Sequence, residues 1–184
     1  MNRNLLITAG VVLVLALFVY WWVYGPFFSS KRSPEALMQT ALTGATAEER
    51  ELAAVELGDY AVPADDSGNR PAQAAKAVEC LVQVMRESTD PVTKSAAIEG
   101  LRRARHWDST PALFEAMMDE SSLIRGRAAR AAETIIGASY DFNPEGPLEE
   151  REAKIKYMRG DYERMNARRQ EMAAGGASAP GGSN

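Results

Sequence analysis

Residue types that support catalysis or metal binding are scarce in this chain of 184 residues, which contains one histidine and one cysteine. The histidine, His106, lies in the tetrapeptide RHWD at residues 105–108, where it neighbours an acid. A Ser-His-Asp site would also need an activated nucleophile, and the sequence has no G-x-S-x-G elbow. The pattern therefore predicts a turn that His106 and Trp107 close, with Trp107 covering the core, and not a catalytic site.

The cysteine and the remaining chemical motifs lead to the same expectation. Cys80 follows Glu79 within a helical pattern, whereas a reactive thiol needs a nearby cation or a helix N-terminus to lower its pKa. A single cysteine excludes an intramolecular disulfide and a multi-cysteine metal site. The sequence has no glycine-rich phosphate loop, zinc-ligand spacing or EF-hand pattern. We therefore expect no enzyme activity, no cofactor, no metal and no small-molecule substrate.

Arginines are the other chemically suggestive group, because clustered guanidinium groups bind phosphates and carboxylates. They lie on two stretches of helical pattern: Arg102, Arg103, Arg105, Arg125, Arg127 and Arg130. Between Asp90 and Gly137, however, seven Lys or Arg are matched by seven Asp or Glu, and the whole chain has a formal charge of −4. Since DNA-binding domains are usually strongly basic, we expect a solvated face of mixed charge and no nucleic-acid binding.

A long apolar segment near the N-terminus is the clearest structural signal. Leu5 to Tyr24 is a run of 20 residues without a charge, which as a helix spans about 30 Å, the thickness of the hydrocarbon core of a bilayer. Aromatic residues cluster at its end, as at a membrane interface: Tyr20, Trp21, Trp22 and Tyr24. The segment predicts a retained transmembrane helix at 5–24. The alternative is a cleaved signal peptide that releases a secreted protein, but such peptides are shorter and have small residues at the cleavage site.

The orientation of this segment in the membrane is only weakly indicated. Arg3 and the α-amino group precede the segment and Lys31 and Arg32 follow it, so the positive-inside rule gives nearly a tie. A tail of only residues 1–4 before an uncleaved anchor favours a soluble part outside the cytoplasm. We therefore expect a single-pass protein of a bacterial-type inner membrane.

The rest of the chain has helical patterns and no convincing strand. After a linker at 25–33, apolar residues recur at helical spacing. The segments are 34–43, 46–58, 72–87, 91–105, 110–119, 122–136 and 147–171. We therefore predict helical repeats over 34–145, an amphipathic helix over 146–172 and a disordered Gly/Ala/Ser tail over 173–184.

Proline and glycine mark the boundaries of several predicted helices. Pro91 and Pro111 stand at or near a first helical position, where the missing N–H costs nothing. Gly44, Gly58 and Gly137 follow the apolar pattern of a helix, which is typical of a left-handed residue after the helix end.

Three segments align as copies of one unit: residues 49–58, 93–102 and 124–133. Each copy has a basic residue in its second column and small or apolar residues three, four and seven positions later. These residues are Arg50, Ala53, Ala54 and Leu57, then Lys94, Ala97, Ile98 and Leu101, then Arg125, Ala128, Ala129 and Ala132. On a helix, the small residues form a thin stripe that lets a neighbouring helix approach closely. We expect the basic residue to reach acidic or carbonyl groups of the adjacent turn and to tie one layer to the next.

The second copy, from Asp90 to Leu101, carries the pattern D-P-x-x-[KR]-x-x-A-[AI]-x-x-[LA]. This pattern resembles HEAT repeats, in particular the short HEAT-like repeats of phycobilisome lyase-type proteins. The resemblance covers about residues 33–137, and its best match is 119–137. It departs from the pattern in the spacing between copies, 44 and then 31 residues, and in the missing Asp-Pro of the first and third copies. The resemblance implies an all-α solenoid of about three helix pairs that serves as a scaffold for another protein. Its lyase-type form leaves an enzyme accessory as the alternative.

The last predicted helix has one apolar seam on a heavily charged surface. The seam residues are spaced by seven, three, four and three positions: Leu148, Ile155, Met158, Tyr162 and Met165. We interpret this helix as a cap that seals the end of the helical stack, since stacked repeats need a polar outer face. A coiled-coil or partner-docking helix is the alternative.

The sequence thus predicts a membrane-anchored scaffold that presents a helical surface to another protein. The candidate surface comprises the row of packed helices and the helix ends near the loops. The loop at 59–71 is the expected variable contact, because insertions in repeat arrays often decorate one face.

Overall fold

The computed structural model describes residues 32–62 and 72–176, and every regular element in these ranges is a helix. In chain order the helices are α1 Pro34–Thr43, α2 Ala47–Ala61, α3 Ala72–Glu87, α4 Pro91–Ala104, α5 Thr110–Ala116, α6 Ser122–Ile136 and α7 Leu148–Gly176. A 3-10 helix, Trp107–Ser109, joins α4 to α5. The prediction of an all-α fold is confirmed for the described ranges.

Several predictions lie outside the described residues. These are the membrane span at 5–24 with Tyr20, Trp21, Trp22 and Tyr24, most of the linker, most of the 59–71 loop, and residues 177–184 of the tail. Within the described ranges, no helix is long and apolar enough to cross a membrane.

The helices pair in chain order, and the pairs stack on one another. Helix α1 packs on α2, α3 on α4 and α5 on α6. The second helices of the pairs form a row in which α4 lies between α2 and α6, and the first helices form a row on the other side. The residues from Pro34 onwards form one compact unit. This arrangement is that of an α-solenoid with three helix pairs.

The core lies between the two rows and draws on every pair. Its largest fully buried side chains include Leu37, Leu57, Leu81, Ile98, Leu101, Leu113, Phe114 and Ile124. Burying one such side chain stabilises the folded state by about 1.5–3 kcal/mol relative to leaving it exposed. No helix pair has enough apolar neighbours to bury these side chains by itself, so the pairs fold as one stack.

Two glycines bring α2 and α4 into contact at the backbone. A Cβ atom built on Gly100 would lie 3.0 Å from the Cα of Gly58 and 3.0 Å from a methyl of Leu81. A Cβ atom built on Gly58 would lie 3.1 Å from the Cα of Gly100. Gly58 therefore lies inside α2 and serves this contact, and the prediction that it follows the helix end was wrong.

Local hydrogen bonds set the ends of the other helices. Thr46 caps α2, since its hydroxyl oxygen accepts a hydrogen bond from the Glu49 N–H at 3.1 Å. The Glu49 carboxylate accepts one from the Ala45 N–H at 3.0 Å, one residue before the cap, so the start of α2 is held from both sides. Gly137 ends α6 with a φ of 78° and donates its N–H to the Glu133 carbonyl, so the predicted left-handed position is observed there.

Helix α7 covers the end of the stack with the predicted seam. Ile155, Met158 and Tyr162 are buried, and Met165 packs against the core. Tyr162 stacks on Trp107 with ring centroids 4.9 Å apart and meets Phe114 edge-on at 6.0 Å. The capping interpretation therefore describes this part of the helix.

Two details of α7 differ from the sequence prediction. Leu148, the first residue of the predicted seam, is 51% exposed because α7 begins there, before the helix reaches the core. The helix also continues to Gly176, whereas residues 173 onwards were predicted to be disordered. The alanines at 173 and 174 are good helix formers and extend a helix that is already nucleated.

Candidate interaction surface

The basic column of the repeat connects successive turns. The Arg50 guanidinium donates to the Gly44 carbonyl at 2.9 Å and lies 3.7 Å from the Asp90 carboxylate of the next pair. In the next copy, Lys94 Nζ donates to Asp119 Oδ2 at 2.6 Å. Each basic side chain thus reaches from its own helix to the turn that begins the following second helix.

The third basic residue closes the series at the end of the row. Arg125 donates to the carbonyls of Asp119 and Glu120, both at 2.8 Å, and to the Pro144 carbonyl at 2.6 Å. Its last partner lies in the segment after α6, so Arg125 fixes that segment where Arg50 and Lys94 fix the next repeat. These contacts hold each of the three side chains at a turn of the stack.

The two aspartates of this series are held in their ionised form. A hydrogen bond from the Thr93 hydroxyl at 2.8 Å is the main cause that lowers the pKa of Asp90, and the Val92 N–H adds to it. Burial acts to raise the pKa of Asp119, but hydrogen bonds from Lys94 and the Ser121 N–H outweigh it, and the net pKa is lowered.

The small and apolar columns of the repeat lie in the core. All of the residues singled out there are at most 4% exposed: Ala53, Leu57, Ala97, Leu101, Ala128, Ala129 and Ala132. They belong to α2, α4 and α6, which pack side by side. The alanines thus lie where helices of the second row approach each other.

The same alignment gives the residues that the second row leaves accessible. Counted from the basic residue, positions −2, +2, +5 and +9 are exposed or half-buried in all three copies. We call these twelve residues the second-helix face: Glu48, Leu52, Val55, Asp59, Val92, Ala96, Glu99, Arg103, Leu123, Arg127, Arg130 and Thr134. The sequence-based reasoning missed this face, although counting the columns between the buried ones would have found it.

Charge changes sign across the second-helix face. Its α2 part has the acidic Glu48 and Asp59, and its α6 part has the basic Arg127 and Arg130. In the middle of the face, Arg103 of α4 donates to the Asp59 carboxylate at 2.9 Å and joins α4 to α2.

Large apolar side chains on this face remain open to solvent. Leu52 is 58% exposed, Leu123 is 53% exposed and Val92 is 48% exposed. A face that combines exposed apolar side chains with charges of both signs is typical of a protein-binding surface.

A groove of about 710 Å³ lies between α4 and α6, within this face. Its walls carry Arg102, Arg127 and Arg130 together with Glu99 and Glu133. The Arg102 guanidinium donates two hydrogen bonds, of 2.6 and 2.9 Å, to the Glu99 carboxylate. This side-chain hydrogen bond is the main cause that lowers the pKa of Glu99.

The other three charges of the groove are arranged differently. Glu133 Oε1 accepts a hydrogen bond from the Tyr140 N–H at 2.8 Å, in the turn after α6. Arg127 and Arg130 are exposed, as predicted, and form no ion pair with any residue of the described ranges. The groove thus offers two guanidinium groups one helical turn apart.

The RHWD stretch forms the turn between α4 and α5. The Ser109 hydroxyl donates to the His106 carbonyl at 2.6 Å rather than to the imidazole, and Asp108 is exposed. The Trp107 indole N–H donates to the Asn166 side chain of α7 at 2.9 Å. Trp107 therefore joins the turn to the capping helix, a contact that the sequence did not reveal.

Cys80 is packed in the core at 2% exposure. Burial is the main cause that raises the pKa of its thiol, and the negative charge of Glu35 acts in the same direction. A raised pKa disfavours the thiolate, so this cysteine is a small apolar filler. Within the described ranges, no cluster of three or more His, Cys, Asp or Glu side chains could hold a metal ion.

The architecture defines a class, a helical-repeat protein whose paired helices stack around one core. Residues 78–142, which run from the middle of α3 past the end of α6, match the family model of HEAT repeats. No curated protein and no solved structure matches the chain. The HEAT part of the sequence prediction is thus supported over the second and third copies. The finer resemblance to phycobilisome lyase-type proteins stays a prediction from sequence.

Proposed function

We propose that this protein is a membrane-anchored scaffold that binds another protein through the second-helix face. HEAT repeats generally mediate protein–protein interaction, and the match covers two of the three second helices. The observation that carries the proposal is the face itself, on which the same four columns of three helices stay accessible and present Leu52, Val92 and Leu123 to solvent. Side chains that pack the core are buried, whereas these three remain about half exposed.

Membrane attachment is the second part of the proposal and rests on the uncharged segment from Leu5 to Tyr24. Its length suits one bilayer crossing, and the polar residues of the repeat unit suit an aqueous compartment. The anchor would hold the second-helix face close to a membrane surface and raise the local concentration of a membrane-bound partner.

Site-specific photocrosslinking of the full chain in its own cells tests the binding face. A photoreactive amino acid at Val55 or Thr134 samples the face, and one at Gln83 samples the exposed side of α3 as a matched helical control. We expect discrete crosslinked protein bands from the two face positions and none from Gln83. Equal crosslinking at all three positions, or none from the face, would contradict the proposal.

Cysteine labelling tests the orientation. Because Cys80 is buried, a Thr89→Cys variant has a single exposed thiol in the α3–α4 turn. A membrane-impermeant maleimide should label it in intact cells if the repeats lie outside the cytoplasm. Labelling only after cell lysis would place them on the cytoplasmic side.

Extraction tests the anchor. A membrane-spanning helix should be released from membranes by detergent but not by high salt, and release by salt would contradict the anchor.

A further inference from the structure

We propose that the groove between α4 and α6 binds an acidic segment of the partner protein, with Arg127 and Arg130 pairing its carboxylates and Leu123 contacting an apolar side chain. The inference rests on the proposed function, because it names the chemistry of the partner that the same face would bind. It concerns only the α6 end of the second-helix face.

Three of the five charged side chains in the groove are engaged with other groups of the protein. Arg102 and Glu99 hold each other, with distances of 2.6 and 2.9 Å between guanidinium nitrogens and carboxylate oxygens. Glu133 is turned to the backbone of Tyr140. Arg127 and Arg130 are exposed and form no ion pair in the described ranges, so a carboxylate ligand can reach both guanidinium groups, of which that of Arg127 also acts on Glu99.

The spacing of the accessible side chains on α6 also suits an acidic ligand. Arg127 and Arg130 are three residues apart on α6, and Leu123 is one further turn towards the N-terminus of the helix. Side chains with this spacing lie on one side of a helix, with Cβ atoms of neighbouring turns about 5–6 Å apart. Two carboxylates one turn apart, followed by an apolar residue, would match them. Arginine favours this role because its planar guanidinium group can bind a carboxylate through two hydrogen bonds.

Charges elsewhere on the second-helix face favour an acidic peptide over a nucleic acid, which also carries negative charges. The α2 part of the same face is acidic at Glu48 and Asp59, and the chain has a formal charge of −4. A phosphate backbone that continued from the groove across the face would meet the Glu48 carboxylate and would compete with Asp59 for Arg103, and like charges in contact oppose binding. The exposed Leu123 also suits a side chain better than a phosphate. An acidic segment that occupies only the α6 end avoids both conflicts.

A display selection tests this chemistry with a defined probe. The full chain in neutral detergent is immobilised, and a random library of 12-residue peptides is selected on it. We expect enrichment of peptides with two or more Asp or Glu within one helical turn and an adjacent apolar residue. Replacing Arg127 and Arg130 together by Gln should weaken the binding of an enriched peptide about tenfold, the effect of losing two exposed ion pairs. Raising the NaCl concentration should weaken peptide binding by the unchanged protein, because salt screens the ion pairs.

A variant of equal charge change serves as control. Lys76 and Arg86 are exposed on α3, in the row of first helices, and replacing both by Gln removes two positive charges from the row that does not carry the groove. This control should leave peptide affinity within about twofold of the unchanged protein, since charges beyond about 10 Å are largely screened at 0.1 M salt. Circular dichroism of both variants should show the helical signal of the unchanged chain.

The outcomes separate this inference from the proposed function. No acidic enrichment, an equal loss in the control variant, or equally tight binding of a 12-nucleotide single-stranded RNA would each overturn the acidic-segment inference. Crosslinks from Val55 and Thr134 together with any of these results would leave the protein-binding function standing. An absence of crosslinks from the face would instead remove the proposed function itself.

Discussion

The two contacts between neighbouring second helices differ, although the same repeat unit builds both. Helices α2 and α4 meet at the backbone, where Gly58 and Gly100 leave no room for a Cβ atom. Helices α4 and α6 meet through alanines and leave a groove of about 710 Å³ at their accessible side. One interface is thus closed and the other is open.

This difference shows how a repeat array separates the positions that pack the core from those that stay accessible. The positions of the repeat that face the core are the same in each copy, and their small or apolar side chains set the stacking of the pairs. The columns that face outward are free to change, so the α2 part carries Glu48 and Asp59 whereas the α6 part carries Arg127 and Arg130. Conserving the inward pattern while varying the outward one lets a short stack present several chemistries on one face.

Filling the remaining space at the α2–α4 contact should lower the free energy of unfolding more than any of the other changes below. Gly100→Val adds a branched side chain where even a Cβ atom would lie 3.0 Å from Gly58 and Leu81. We expect a loss of about 3 kcal/mol in the free energy of unfolding, the upper end for an overpacked core. Urea unfolding followed by circular dichroism measures it.

Gly126→Ala on α6 is the matched control for this variant. Its new Cβ atom would lie 3.4 Å from the Pro144 ring, an ordinary contact. Alanine is a better helix former than glycine, so this variant should gain up to about 1 kcal/mol. A Gly100→Val variant as stable as the unchanged protein would show that α2 and α4 are not in backbone contact.

The alanine stripe of the α4–α6 contact gives the next largest effect. Ala128→Leu should cost about 1–3 kcal/mol, because the fully buried alanine has no space beside it for a larger side chain. Arg127→Ala, one position earlier and exposed, should change stability by less than about 0.5 kcal/mol. Equal small effects in the two variants, measured by the same urea unfolding, would argue against close packing of this stripe.

The features that the sequence revealed are those that recur at helical spacing. The basic residue and the small residues behind it repeat in three copies, so helix identity and the buried side of α2, α4 and α6 could be predicted. The seam of α7 follows the same logic for Ile155 and Tyr162, which are buried. In each case a local pattern coincides with a tertiary contact, because repeats pack against their sequence neighbours.

The features that were missed depend on contacts between distant residues. A glycine after an apolar pattern usually marks a helix end, but Gly58 is required by Gly100, which lies 42 positions further on. The hydrogen bond of 2.6 Å between the Tyr140 hydroxyl and the Asp161 carboxylate depends on the path of the segment between α6 and α7. No local pattern of residue types specifies such a path.

The ion pairs of the basic column give a smaller effect than the packing variants. Lys94→Met leaves the half-buried Asp119 carboxylate with its Ser121 hydrogen bond but without its 2.6 Å ion pair. We expect a loss of about 1.5–2 kcal/mol in the free energy of unfolding, the lower end for a hydrogen bond to a charged group, because both side chains are partly exposed. Lys76→Met removes an exposed pair with Glu79 on α3 and should leave the urea midpoint unchanged. If both variants behave alike, the basic column does not tie the repeats together.

The pH dependence of stability gives the smallest expected effect and concerns the same contact. The folded-state pKa of Asp119 lies below its ordinary value of 3.8, so its contribution is complete above that value and is lost as the pH falls through the folded pKa. Urea unfolding between pH 7 and pH 3 should therefore show a steeper loss of stability near the acidic end in the unchanged protein than in Asp119→Asn, which cannot titrate. Asp90, Glu99 and Asp161, whose pKa values are also lowered, should leave a residual slope in that variant. Identical slopes in the two proteins would mean that Lys94 does not hold Asp119 in its ionised form, and the link between the second and third pairs would then rest on packing and on Arg125.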